Sequence, residues 1–237
     1  MWDCIAVAHN TSPNVSVYPW TGTFGTKFAN PATVPAGVGY GVAFSPDGSA
    51  IAIAHANNPF LSAYPWSGSG FGTKFANPAT LTGGQGNGVA FSPDGAFLAV
   101  AHSGSPCLSA YPWSGSGFGT KVANPATLPT FNGYGVAFSP DGSFIAVAHS
   151  ASPYISVYPW SSSGFGTKVA NPATLPPGAG NGVAFSPDGA YLAVACADIS
   201  SPYVYLIVYP WDGSFGTAIT PTTTLASAGN GAAWRPQ

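Results

Sequence analysis

The phrase Gly-Val-Ala-Phe-Ser-Pro-Asp-Gly begins at Gly41, Gly88, Gly135 and Gly182, in steps of 47 residues, and a decayed copy, Gly-Ala-Ala-Trp-Arg-Pro-Gln, begins at Gly231. The chain is one unit written five times. Its period is filled by short apolar runs separated by Gly and Pro turns. Each run is too short to bury itself, so neighbouring copies must stack to form a core. A period of this length made of strands and turns predicts a β-propeller, with each repeat one four-stranded blade.

The third full copy gives the grammar of a blade. Residues 135–139 read as a short first strand, and Ser139-Pro140-Asp141-Gly142 as a tight turn in which Pro pre-sets φ and Gly is free to take φ > 0. Residues 144–149 alternate Ile145, Val147 and His149 with Phe144, Ala146 and Ala148. That pattern suits a second strand buried on both faces. A turn over 150–153 leads to a third strand at 154–158, which Pro159 is expected to end for want of an N–H. A loop at 160–164 precedes a fourth, outermost strand at 165–170, closed by Asn171-Pro172.

The ends imply how the array closes. The chain starts inside a repeat, with Ile5-Ala-Val-Ala-His9 matching the second strand, and stops with Gly231 to Trp234 matching the first. The expected fold is all-β: a five-bladed propeller of four antiparallel strands per blade, its ring closed when the C-terminal strand completes the N-terminal blade and hides an open edge. One domain spans 1–237, with blades at 41–87, 88–134, 135–181, 182–230 and 231–237 joined to 1–40.

Ala-Phe-Ser-Pro-Asp-Gly, followed by Ile-Ala-Val-Ala-His and Ile-Ser-Val-Tyr, resembles the first three strands of WD-repeat and related Ser-Pro-Asp-Gly propellers along the whole chain. Three departures stand out. Gly-Tyr-Gly or Gly-Asn-Gly replaces the family's Gly-His, the second turn from His149 to Pro153 lacks its Asp, and Tyr158 stands where the family has Trp. The family's polar tetrad therefore cannot be assembled. The wording Ser-Gly-Phe-Gly-Thr-Lys-Phe-Ala-Asn-Pro-Ala-Thr is also similar to repeats encoded by tailed bacteriophages.

Charge narrows the partners. Only 5% of residues are charged, Glu is absent, and Lys27, Lys74, Lys121 and Lys168 occupy one repeat position. Nucleic-acid binding needs clustered cations to displace counterions, which this pattern does not supply, and it offers no basic membrane-binding surface. No apolar run reaches a membrane span of roughly 18 residues. Cys4, Cys107 and Cys196 fall at three different repeat positions, so no disulfide framework is expected. A monomer is expected. No signal peptide is legible, and a virion or extracellular location is an expectation of the phage resemblance alone.

His9, His55, His102 and His149 all end the second strand, with Cys196 in the fifth copy. One shared metal is not expected, because an intervening strand adds about 4.8 Å per sheet spacing while zinc holds ligands at about 2.0–2.3 Å. Imidazoles bonded to backbone at the strand end, or packed on Tyr18, Tyr64, Tyr111 or Tyr158, are the simpler expectation. Asp47, Asp94, Asp141 and Asp188 are explained by their turns, at the opposite end of the strand from the histidines. Trp20, Trp66, Trp113, Trp160 and Trp211 are each followed closely by a Phe, and such pairs are expected to pin the loop between them. No cofactor, metal or catalytic residue is assigned. An enzyme would need an asymmetric site, and only Cys196 and Asp198 in the lengthened fifth copy are seen to offer one.

Where the copies diverge marks the expected recognition face. After the second-turn proline stand Asn14, Phe60, Cys107, Tyr154 and Tyr203, and before the first strand stand Tyr40, Asn87, Tyr134, Asn181 and Asn230. Both sets belong to loops of one rim, and loops on a rigid scaffold are where binding resides. The sequence reading is a non-catalytic binding or structural module, a virion-associated display or attachment protein with an unknown protein or glycan partner. The alternative is a multivalent lectin with one shallow site per blade.

Overall fold

A computed structural model describes residues 3–197, 204–222 and 227–234, and among them it shows seventeen β-strands and no α-helix. The chain divides into two compact units, 1–100 with 109–122, and 101–108 with 123–237.

In the first unit, β1 (Asp3–Ala8) and β2 (Val15–Trp20) form a two-stranded sheet. The next repeat supplies β3 (Gly39–Phe44), β4 (Ala50–His55), β5 (Leu61–Ser67) and β6 (Gly70–Phe71) in sequential antiparallel order. A third sheet follows the same order with β7 (Gly86–Phe91), β8 (Phe97–His102), β9 (Leu108–Ser114) and β10 (Gly117–Phe118). The Ala101–Leu108 stretch of that sheet groups with the second unit. There, β11 (Gly133–Phe138), β12 (Phe144–His149), β13 (Ile155–Ser161) and β14 (Gly164–Phe165) make another four-stranded sheet. The last, of three strands, contains β15 (Gly180–Phe185), β16 (Tyr191–Cys196) and β17 (Leu206–Pro210).

The second strand of each repeat explains how sheets stack. Every residue of β4 is buried, yet its two faces serve different cores. Ile51 and Ile53 pack with Val15, Val17 and Tyr64. Ala50, Ala52 and Ala54 face Val89, Leu98, Val100 and Tyr111. A bulky face thus fills one interface, while a small face lets the next sheet bring its own bulky residues close. Burying each Ile contributes about 1.5–3 kcal/mol. Ala146 and Ala148 repeat the pattern in the second unit, against Leu192, Val194 and Tyr209.

Glycine fixes the entry to the first strand. A Cβ on Gly39 would stand 2.2 Å from the carbonyl oxygen of Asn14, and one on Gly86 would stand 2.3 Å from that of Phe60. No side chain fits there. Two positions on, a Cβ on Gly41 would lie 3.1 Å from Cα of Gly88, so the first strands of successive sheets run backbone to backbone.

Several expectations are corrected. The first strand is longer than expected, starting at Gly133, because a bulge between Gly133 and Gly135 extends the ladder to His149. The third strand is Ile155–Ser161 and does not end at Pro159. Trp160 donates its N–H to Ser143, which leaves Pro159 paired with Phe144 at a position where the ladder to β12 asks for no N–H. Tyr154 lies outside that strand, with φ of 68°. The fourth strand is only Gly164–Phe165, after which backbone bonds from Gly166 to Pro159 and from Val169 to Val157 hold the chain against its neighbour.

The expected closing strand is absent among the described residues. Gly231 to Trp234 are irregular, although Trp234 stacks on Tyr191 and donates its indole N–H to the Ala184 carbonyl at 3.2 Å. The described sheets therefore do not include a completed first blade.

Candidate functional site

Each Ser-Pro-Asp-Gly turn is a preformed carboxylate mount. The Ser45 hydroxyl donates to Oδ1 of Asp47 at 2.6 Å and accepts the Ala50 N–H at 2.9 Å. Ser49 donates its N–H to Oδ1 at 3.0 Å and its hydroxyl to Oδ2 at 2.7 Å. Those hydrogen bonds, led by Ser45, lower the Asp47 pKa to about 2. Asp47 is a carboxylate at any physiological pH.

Beside this mount the first unit has a recess of about 360 Å³, lined by Asp3, Cys4, Phe28, Phe44, Asp47, Gly48, Ser49 and Trp66, with Ser67 and Gly68 at its edge. Its wall is aromatic: Trp66 stands edge-on to Phe28 at 5.0 Å, Phe44 at 5.4 Å and Phe71 at 5.0 Å between ring centres. Related recesses of about 460 Å³ and 490 Å³ lie beside Asp94 with Trp113, and beside Asp141 and Asp188 with Trp211.

The first recess differs from those in three ways. Cys4 occupies the repeat position that Ala50, Phe97, Phe144 and Tyr191 hold in the other copies, so this wall carries a thiol. Trp66 is half-buried, whereas Trp113, Trp160 and Trp211 are buried. Asp3 stands where other repeats have Ser or Ala and makes no side-chain hydrogen bond among the described residues. Burial and the neighbouring Asp3 charge raise the Cys4 pKa, which keeps the thiol protonated and a poor nucleophile.

The rim positions singled out by divergence line none of these recesses. Asn14, Phe60, Cys107 and Tyr154 share a left-handed backbone, with φ of 66–69°, and their carbonyls accept the N–H of His9, His55, His102 and His149. Asn14 is buried and spends its amide on the Pro35 carbonyl at 2.9 Å, and Cys107 is buried. Asn181 donates to the Gly229 carbonyl at 2.9 Å, and Asn87 accepts from Gln85 at 2.8 Å. Tyr134 is half-buried, while Tyr40 and Asn230 are exposed. Tyr203 and Asp198 lie outside the described residues. In the fifth repeat the carbonyl taking the Cys196 N–H belongs to Tyr205.

The histidines find side-chain partners on the adjacent strand. Nε2 lies 3.0 Å from the Ser16 hydroxyl in His9, 2.9 Å from Ser62 in His55, and 3.0 Å from Ser156 in His149. The fifth-copy Cys196 thiol donates to the Val204 carbonyl at 3.3 Å. Among the described residues no group of three or more His, Cys, Asp or Glu is placed to hold a metal ion. The Trp-Phe pairs do pin their loops, at 5.0 Å for Trp66–Phe71 and 4.8 Å for Trp160–Phe165. Sequence reasoning passed over Asp3 and Cys4, whose signal was a departure from the repeat at the second strand's first residues.

No protein-family model and no curated protein sequence matches the chain. Solved structures do. A provisionally named 6-phosphogluconolactonase of Bacteroides uniformis matches with a TM-score of 0.64 at 20% identity, covering 88% of this chain and 64% of that one. A periplasmic gluconolactonase of Pseudomonas aeruginosa matches at 0.66 and 16% identity, over 94% of this chain and 69% of that one. Kuenenia stuttgartiensis hydrazine synthase matches at 0.56 and 20% identity, over 77% of this chain and 49% of that one. The chain thus spans about two-thirds or less of these proteins' lengths.

What is shared is the fold: repeated antiparallel sheets of the propeller kind. Nothing in these matches supports a WD-repeat or bacteriophage relationship, or a lectin. The expectation of a non-catalytic binding or structural module, and of a protein that is not an enzyme, is overturned by the same neighbours, two of which are named as gluconolactonases. The sequence reading rested on missing Glu and on Asp residues explained by their turns, and it did not weigh Asp3, which breaks the repeat beside one of those turns.

Proposed function

We propose that the protein is a hydrolase acting on a sugar lactone or a similar small cyclic ester, with the Asp3–Asp47–Trp66 recess as its active site. The observation that carries the reading is a free carboxylate, Asp3, sharing an aromatic-walled recess with a fixed one, Asp47. The names of the two gluconolactonase neighbours support it.

In this scheme the aromatic wall takes the apolar face of the sugar ring, and Asp47 with Ser49 orients its hydroxyls. Asp3 accepts a proton from a water molecule as that water attacks the ester carbonyl. The tetrahedral adduct then expels the ring oxygen, which takes a proton back, and the product leaves as an open-chain hydroxy acid. General-base assistance of this kind contributes typically 10²–10⁴-fold. Cys4 stays neutral.

The test is ring opening of glucono-1,5-lactone, followed in a pH-stat against the spontaneous rate. Acceleration that Asp3→Asn lowers by about a hundredfold or more supports the reading. A rate equal to the uncatalysed one at micromolar protein ends it.

We propose also that the five repeats make five blades, with 231–237 supplying the first strand of the blade begun by 1–40. The β1–β2 sheet lacks a strand equivalent to β3, and Gly231-Ala-Ala-Trp234 repeats the wording of that strand. Deleting 231–237 should then lower the melting temperature by many degrees. An unchanged melting curve would refute the closure.

A further inference from the structure

We infer that the substrate carries no phosphate or other anionic group: the recess takes a neutral sugar ring and rejects its phosphorylated counterpart. This deepens the lactonase reading and rests on it.

Anion binding needs cationic side chains or free backbone N–H groups turned into the site. Among the described residues the recess has no cationic side chain, and two of its turn N–H groups are already spent. No Lys, Arg or His lines it. The N–H of Gly48 is spent on the Ser45 carbonyl at 2.8 Å, and that of Ser49 on the Asp47 carboxylate at 3.0 Å. Lys27, Lys74 and Lys168 are bonded to Asn30, Asn77 and Asn171, each three residues along their own loops.

What the recess offers instead is acceptors. Two carboxylates face a ligand whose hydroxyls can donate to them, and the aromatic wall matches the C–H surface between those hydroxyls. A phosphate dianion brought between Asp3 and Asp47 would meet like charge with no compensating cation among the described residues. Because the recess is open to solvent, that repulsion is screened by salt, which gives the inference a signature of its own.

The experiment compares kcat/KM for glucono-1,5-lactone and its 6-phosphate at 20 mM and 500 mM salt. The expected result is a preference of about a hundredfold for the neutral lactone at low salt, shrinking about tenfold at high salt. Asp47→Asn should narrow the ratio likewise, whatever it does to the rates themselves. Equal or faster opening of the phosphorylated lactone overturns the inference while leaving the lactonase reading intact. If neither lactone is opened, the lactonase reading fails, and charge selection is read from Trp fluorescence titrations with glucose and glucose 6-phosphate. Saturation by glucose alone upholds selection, and binding of the phosphate, or of neither, overturns it.

Discussion

Nε2 of His55 lies 2.9 Å from the Ser62 hydroxyl, and both side chains are sealed from solvent. His149 and Ser156 repeat the pair at 3.0 Å. In each histidine the other ring nitrogen, Nδ1, has no hydrogen-bond partner. Burial lowers both histidine pKa values from 6.5 to about 4.

These pairs make stability depend on pH. Between about 6.5 and 4 the unfolded chain protonates its histidines while the folded chain does not, so the unfolded state holds more protons and stability falls as pH drops. The loss is about 3 kcal/mol per buried histidine across the window. Urea midpoints measured from pH 7 to pH 4.5 should fall, and His149→Leu should flatten part of the slope. A midpoint constant over that range would refute the assignment.

The glycines that meet a carbonyl should be intolerant. Gly86→Ala places a Cβ 2.3 Å from the Phe60 carbonyl oxygen, so backbone must move, at a cost of about 3 kcal/mol or more. Gly115, whose added Cβ meets nothing within 4 Å, should accept Ala within about 0.5 kcal/mol. Paired thermal melts decide the matter, and equal effects at the two sites would show the close approach to be relaxed in solution.

Ser45 holds its turn from both sides, donating to Asp47 and accepting from Ala50. Ser45→Ala should cost about 1–2 kcal/mol by leaving the Ala50 N–H without its partner. Chemical denaturation would register the change as a shifted midpoint with the slope preserved.

Cys4→Phe restores the residue type that β8 and β12 carry at the same place. On the lactonase reading the fold should tolerate it, while lactone opening should fall as the new ring packs on Trp66, as Phe144 packs on Trp211 at 5.2 Å between ring centres. Retained activity with an unaltered melting curve would move the site elsewhere.

Much of the sheet architecture is readable from the chain because the repeat imposes the same packing problem again and again. The second strand at Phe144–His149 is legible in full, since alternate residues must serve two cores. The short fourth strand is not, because Lys168-Val169-Ala170 has strand-like composition yet keeps a single ladder bond. The turn carboxylates are equally legible as structure. What the repeat conceals is the candidate site: averaging five copies discards Asp3 and Cys4, the two residues of the recess that depart from it.

The glycine seam between first strands has an evolutionary corollary. Where Gly41 meets Gly88, and where a Cβ on Gly135 would lie 2.9 Å from Cα of Gly182, neither partner has a side chain that could adapt to the other. Along the first strand, such neighbours are interchangeable parts. At these two seams a duplicated copy of either repeat would meet backbone along its first strand, leaving the side-chain faces of the second strands as the part of the joint that must still match.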